Sequence, residues 1–260
     1  MSDAPAYFKK TGYIGYIVFN RPHNRNSLTP EMLEALAVAI DQVKADAQLR
    51  CLIVTGTGTS FCAGGDFSPG KSDSSIPFSR ASLIETYSTC MEILNITVPV
   101  IGALNGHAIG GGFGVCLLSD IRVANKDALY GANFARLGMH SGMSISYMLP
   151  RLIGLPRASE LMFSGRRITG TEAERIGLVN YAVAADQVLP KALELADEIA
   201  ACAPTAVQLM KRSMRVNMAW DPHARLASDA EHQANTFNSA DGQEGIAALL
   251  EKREPVFNGQ

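Results

Sequence analysis

The sequence predicts a mixed α/β protein, and three observations carry that expectation. A strand-like run from Tyr13 to Phe19 (YIGYIVF), a helical segment opening at Thr29 and a second run from Cys51 to Thr55 (CLIVT) follow one another. That order favours parallel pairing of the two strands. The stretch from Val98 to Asp120, VPVIGALNGHAIGGGFGVCLLSD, then joins a short apolar run to a glycine-rich turn and a buried helical segment. Finally, 260 residues with 47% hydrophobic and 18% charged side chains suffice for a sizeable core in an ordinary globular chain.

Taken in order, Asn20-Arg21-Pro22 ends the first strand. Thr29-Pro30-Glu31 then reads as a helix start, with an N-cap, a proline at the first helical position and an acid in the first turn. Leu33, Leu36, Ala37, Ile40 and Val43 recur at helical spacing behind it. After the second strand comes GTGTSFCAGGDF, whose Ala63-Gly64-Gly65-Asp66 leaves room for a backbone to meet a ligand, or forms a plain glycine-rich turn. Lys71 to Ser79 is polar, and Ala81 to Leu94 reads as a helix.

Val98 to Asp120 is the stretch the rest is organised around. Val100 to Leu104 has the length of a buried strand, Asn105-Gly106 breaks it, and Gly110, Gly111, Gly112 and Gly114 lead into Val115 to Leu118. About twenty mostly apolar residues is also membrane-span length, but Asn105, His107 and the glycine density argue against a span. Beyond it, Met148 to Ile153 and Glu160 to Phe163 supply apolar helical surface. Thr171 and Glu174 fit a capping box, and Leu189 to Ile199 and Pro204 to Met218 fit helices. Asp241 and Glu244 fit the cap of a last helix through Leu250. No internal repeat, low-complexity tract or linker forces a domain cut.

A net charge of −2 gives no basic field, which makes nucleic acid an unsuitable partner. Five cysteines without CxxC spacing read as buried reduced thiols of a cytoplasmic protein, with no metal site. The first residues, MSDAPAYFKK, lack the apolar region of a secretory leader.

The glycine clusters carry the chemistry. The free N–H groups of a helix's first turn, with the positive end of the macrodipole behind them, suit a developing negative charge. That charge can sit on a phosphate or on a carbonyl oxygen becoming an oxyanion. Neither cluster forms a G-x-x-x-x-G-K-[ST] loop or a clean dinucleotide fingerprint. Two glycine-rich half-sites, each after a buried strand, are what a two-donor oxyanion hole requires.

Over nearly its whole length the chain resembles the crotonase (enoyl-CoA hydratase/isomerase) superfamily. The strings that carry the resemblance are FNRPHNRNSLT, SFCAGGDF, VPVIGALNGHAIGGGFG, SDIRVA, LPRLIG, SGRRITGTEAERIGLVN and EGIAALLEKREPVF. The resemblance implies a spiral of ββα units over residues 1–200, and a helical segment over 201–260 that builds homotrimers or hexamers. It implies an acyl-CoA thioester as ligand, with no cofactor beyond it, and oxyanion-hole N–H groups on Gly65 and Gly111. Ala63, Asp66, Arg25, Phe134 and Lys252 fall at substrate-binding positions, Arg25 and Lys252 toward the CoA phosphates.

The chain departs from the pattern where hydratases carry two glutamates. Those positions are Gly114 and Phe134 here, and the acid that some isomerases and dehalogenases place further on is Gly142. Adding water across a C=C needs one group to activate the water and another to deliver the α-proton. Glycine and phenylalanine do neither, so two-glutamate hydration is not expected. Asp120, in SDIRVA, fits a structural hydrogen-bond acceptor. His140 is the candidate substitute acid or base. Two readings stay open: an enzyme of enolate chemistry with a nonstandard acid/base, or a noncatalytic acyl-CoA binder.

Overall fold

The computed structural model describes residues 3–65, 80–137, 139–217, 239–251, 253 and 255–259. Two sheets are built from strand pairs that divide between them. β1 (Ala6–Thr11), β2 (Ile14–Phe19), β3 (Cys51–Gly56), β5 (Val100–Leu104), β7 (Ile121–Asn125) and β10 (Tyr181–Val183) form the large sheet, in that order. β4 (Ser60–Cys62), β6 (His107–Ile109), β8 (Leu129–Gly131) and β9 (Ile168–Thr169) form the small one. The successive pairs β3/β4, β5/β6 and β7/β8 thus each give one strand to either sheet. This is the spiral that the resemblance implied.

Pairing in the large sheet is parallel except for β1 against β2, and β2 pairs β3 from Ile14↔Cys51 to Phe19↔Gly56. The crossover between β2 and β3 is α1 (Pro30–Ala45). Its start is as read: the Thr29 side chain accepts from the Met32 N–H and Pro30 opens the helix. Its buried stripe of Met32, Leu36, Ala39, Ile40 and Val43 recurs at the helical period and packs into the main core.

α2 (Arg80–Met91) precedes β5, and α3 (Gly111–Leu117) follows β6. α4 (Ile145–Ile153), α5 (Leu155–Ser164) and α6 (Gly170–Arg175) then complete the helical side. α7 (Val188–Ala200) covers the other face of the large sheet, where Val188, Ala192 and Ala196 pack on Tyr16, Ile53, Ile101 and Val123. α8 (Pro204–Asn217) and α9 (Ala240–Glu251) form the C-terminal part. Asp120, just before β7, joins that part to the core. It accepts from the Val100 N–H at 2.8 Å and pairs with Lys211 at 2.8 Å and Arg215 at 2.7 Å. It is therefore the structural acceptor its position suggested.

Several local expectations are corrected. The cap of α6 is Thr169, which accepts from the Glu172 N–H, two residues earlier than the Thr171–Glu174 pair. Thr171 instead donates to the Lys126 carbonyl, and Glu174 accepts from the Ala182 N–H. At α9, Ser239 accepts from the Gly242 N–H, whereas Asp241 accepts from Asn258 and Gly259 and so ties down the chain end. Phe163 is 80% exposed rather than packed, and Cys202 is exposed while the other four cysteines are buried. β1 escaped the sequence reading because it is a charged edge strand whose Lys9 and Lys10 are exposed, the usual protection of an edge. Lys71 to Ser79 lies outside the described residues, as does Met218.

Candidate active site

The two glycine clusters meet. Gly110, at φ +56°, turns the chain from β6 into α3, so the Gly111 N–H falls in a first turn with no intrahelical acceptor. Gly64, at φ +82°, lies against it: a side chain there would start 2.9 Å from the Gly111 nitrogen and 2.8 Å from the Ile109 carbonyl. Gly112 admits no side chain at all, because one would enter the Cys62 carbonyl. Glycine is needed here because two backbones touch. Among the described residues, neither the Gly65 nor the Gly111 N–H has a hydrogen-bond acceptor.

Two asparagines hold the loops in place, and sequence reasoning assigned neither that role. Asn105 accepts from the Gly56 N–H at 3.0 Å and donates to the Gly58 carbonyl at 2.9 Å, clipping the β3–β4 loop to the β5–β6 turn. Asn26, fully buried and at φ +56°, accepts from the Arg21 N–H and donates to the Thr57 and Ser60 carbonyls. The Arg25 carbonyl accepts from Ala63, and the Leu28 N–H donates to Gly64, so this loop is stitched to the first glycine cluster. The signal available in sequence was asparagine beside a turn, a residue type that tolerates left-handed backbone and bonds nearby main chain.

Beside the Gly110–Gly111 turn the lining is mixed, and Asn133 Oδ1 is 3.6 Å from where a side chain at Gly110 would start. A side chain at Gly111 would start 3.3 Å from Leu28 Cδ1, and one at Gly110 would start 3.7 Å from Phe134 Cζ. Phe134 is half-buried against the main core. The other two expected acid positions are filled from elsewhere in the chain. A side chain at Gly114 would collide with Met143 Cβ, and one at Gly142 would land on the Tyr87 hydroxyl. Met143 reaches Gly114 through two successive non-glycine residues in left-handed backbone, Met143 at φ +54° and Ser144 at φ +51°. Such backbone costs of order 1–3 kcal/mol per residue, so packing must hold it in place. Burial of the phenol raises the Tyr87 pKa above its ordinary value.

Of the remaining candidates, His140 is exposed and its Nδ1 lies 2.7 Å from the Ser141 carbonyl oxygen. Arg25 and Ala63 lie at a cavity of about 390 Å³ on the outer face of the small sheet, with His107, Ile109, Leu129 and Arg167. His107 accepts from the Leu129 N–H through Nδ1, a structural bond. Asp66 and Lys252 lie outside the described residues, and Arg253 pairs with Glu244 and Glu251. Among the described residues no three His, Cys, Asp or Glu side chains come together as a metal would require. Nor is any helix there long and apolar enough to cross a membrane.

Strand pairs that spiral between two sheets and bring two glycine clusters into contact define the crotonase type of α/β fold. The chain belongs to the enoyl-CoA hydratase/isomerase family, whose model matches residues 9–260. It is 35% identical over 267 residues to the enoyl-CoA hydratase EchA19 of Mycobacterium tuberculosis, covering 100% of this chain and 98% of that protein. It is 33% identical over 248 residues to the short-chain-enoyl-CoA hydratase of Clostridium acetobutylicum, covering 95% of this chain and 94% of that protein. Among solved structures, the enoyl-CoA hydratase of Bacillus anthracis superposes with a TM-score of 0.93 at 33% identity, covering 98% of this chain and 100% of that one.

Proposed function

We propose that the protein binds an acyl-CoA thioester with its carbonyl oxygen between the Gly65 and Gly111 N–H groups, and that it stabilises the enolate of that thioester without two-carboxylate hydration. The observation that carries this reading is the meeting of the two glycine clusters, with both N–H groups unengaged among the described residues. Two backbone donors aimed at one carbonyl oxygen favour the charge that develops there, and each is worth roughly 3–4 kcal/mol of barrier. Leu28 and Phe134, both half-buried, present an apolar surface to the acyl part. Arg25, with Arg167 at the neighbouring cavity, gives the CoA phosphates a cationic approach. The chemistry runs on the thioester itself and calls for no further cofactor. By analogy with the family the working unit is a homotrimer or hexamer in the cytoplasm.

Against hydration stand the contents of the acid positions. Gly114, Phe134 and Gly142 offer no carboxylate, and Met143 and Tyr87 occupy the space beside two of them. The alternative is an acyl-CoA binder that kept the donors and performs no proton transfer.

Gly111→Pro tests the reading. It removes one N–H at a first helical position, where proline's fixed φ is tolerated. The expected result is a folded protein in which enolate formation, followed as α-deuteration of hexanoyl-CoA in heavy water, is about 10²–10³-fold slower. An unchanged rate would contradict the placement of the carbonyl.

A further inference from the structure

Proton transfer at this site needs a titratable group near the acyl carbons, and most described ones are committed elsewhere. Cys62 and Cys116 are buried in the core, where burial pushes their thiols up to about 12. The Tyr130 hydroxyl donates to the Leu104 and Asn125 carbonyls. Asp120 is engaged with Lys211 and Arg215, and His140 is exposed. Tyr87 differs from all of these. It is half-buried on α2, packs against the main core, and points its hydroxyl at Gly142.

The hydroxyl lies beside the segment that packs on α3. Tyr87 Oη stands where a side chain at position 142 would begin. Met143, the next residue, lies on Gly114, and the Gly114 N–H donates to the Gly110 carbonyl one turn below the Gly111 donor. Ser141, on the other side of Gly142, has a buried hydroxyl with no hydrogen-bond partner among the described residues. A buried hydroxyl in that state is suited to take a water or a polar atom of a ligand.

We propose that Tyr87 is the proton-transfer residue of this site, presenting a phenol from α2 in place of the carboxylate missing from the 140–143 loop. The proposal rests on the acyl-CoA reading above. Tyr87 first gives its phenolic proton to solvent; the phenolate oxygen then takes an α-proton while the C–H electron pair moves into the enolate and the carbonyl oxygen takes up the charge between Gly65 and Gly111. In the reverse step the enolate pair forms a new C–H bond with the phenolic proton, and Oη keeps the O–H pair. Exchange of the phenolic proton with solvent between the two steps carries deuterium to the α-carbon, and no oxidant or co-reactant is consumed. Burial holds the phenol above its ordinary value, so the phenolate that begins exchange forms more readily as pH rises, and the exchange rate is expected to increase with pH.

The test uses the full chain, hexanoyl-CoA and heavy water, with α-deuteration followed by mass spectrometry and binding measured by calorimetry. Tyr87→Phe keeps the ring and removes the hydroxyl. It is expected to bind within about twofold of wild type, to melt at a similar temperature and to exchange at least 100-fold more slowly. Gly142→Ala is the second variant, since its methyl displaces the hydroxyl while leaving the phenol in the protein. It is expected to slow exchange with the same sign. Equal exchange in Tyr87→Phe, or a wild type that binds hexanoyl-CoA and exchanges nothing, overturns the role of Tyr87 and leaves the binding site standing. A wild type that does not bind hexanoyl-CoA overturns both.

Discussion

The two halves of the site contrast in what they require of the chain. The donor half is backbone, and its glycines are fixed by main chain touching main chain: Gly64 against the Ile109 carbonyl and the Gly111 nitrogen, Gly112 against the Cys62 carbonyl. The acid half is side chain, and the corresponding positions hold Gly114, Phe134 and Gly142, packed by Met143 and Tyr87. In the proposed function a carbonyl oxygen is held by the backbone half, and any proton transfer comes from a residue other than the family's carboxylates. Backbone geometry constrains sequence tightly, whereas a catalytic side chain can be supplied from another element. The proposed site keeps the first and changes the second.

Substitutions that break or sharpen this contrast differ in size. The largest effect is expected behind the donors, at Asp120, which holds the Val100 N–H at the start of β5 and the cations of α8. Asp120→Asn leaves the buried Lys211 with the Val98 carbonyl at 2.7 Å but without its carboxylate, which costs roughly 3–5 kcal/mol in urea unfolding. Burial raises the Asp120 carboxyl, but Lys211 and Arg215 outweigh it and the net direction is down. A carboxyl lowered on folding contributes stability above its ordinary pKa of about 3.9, and that contribution is lost as pH falls through the lower folded value. The urea midpoints of wild type and Asp120→Asn should accordingly converge below about pH 4. A constant gap at lower pH would contradict the ion-pair account.

Next comes a matched pair on one helix. Gly112→Ala drives a methyl into backbone and is expected to cost about 3 kcal/mol or more. Gly114→Ala meets the Met143 side chain, which can shift, and is expected to cost about 1–2 kcal/mol. Equal losses by thermal melting would remove the distinction between the two halves. The smallest effect is expected at His140. With its ring exposed, His140→Ala should change α-exchange of hexanoyl-CoA by less than about threefold, far below the loss expected for an acid–base group. A hundredfold loss would restore His140 as the substitute acid or base.

The two glycine clusters were legible in the sequence, because glycine after a buried strand is a local signal, whereas their meeting was not. The roles of Gly65 and Gly111 came from the family resemblance, whereas Thr29 could be named as a cap from its neighbours. What filled the acid positions was not legible. Nothing around Gly114 announces Met143, and nothing around Gly142 announces Tyr87, because each contact joins residues distant in the chain and depends on how α2 and the segment before α4 pack. Asn26 and Asn105 were opaque for a similar reason, since their partners lie in other loops. The cap of α6 was misplaced by two residues because Thr169 and Thr171 offer the same side chain in one string, and backbone geometry chose between them.

The most direct measurement is to incubate the purified protein with crotonyl-CoA in ordinary water and follow the thioester by mass spectrometry, with binding measured in parallel. Crotonyl-CoA that binds and keeps its mass is the expected result: the thioester is held at Gly65 and Gly111, and the site lacks the carboxylate pair that adds water. Accumulation of a product heavier by one water would contradict that claim, and would mean that a water-activating group works beside Met143 and Tyr87 after all.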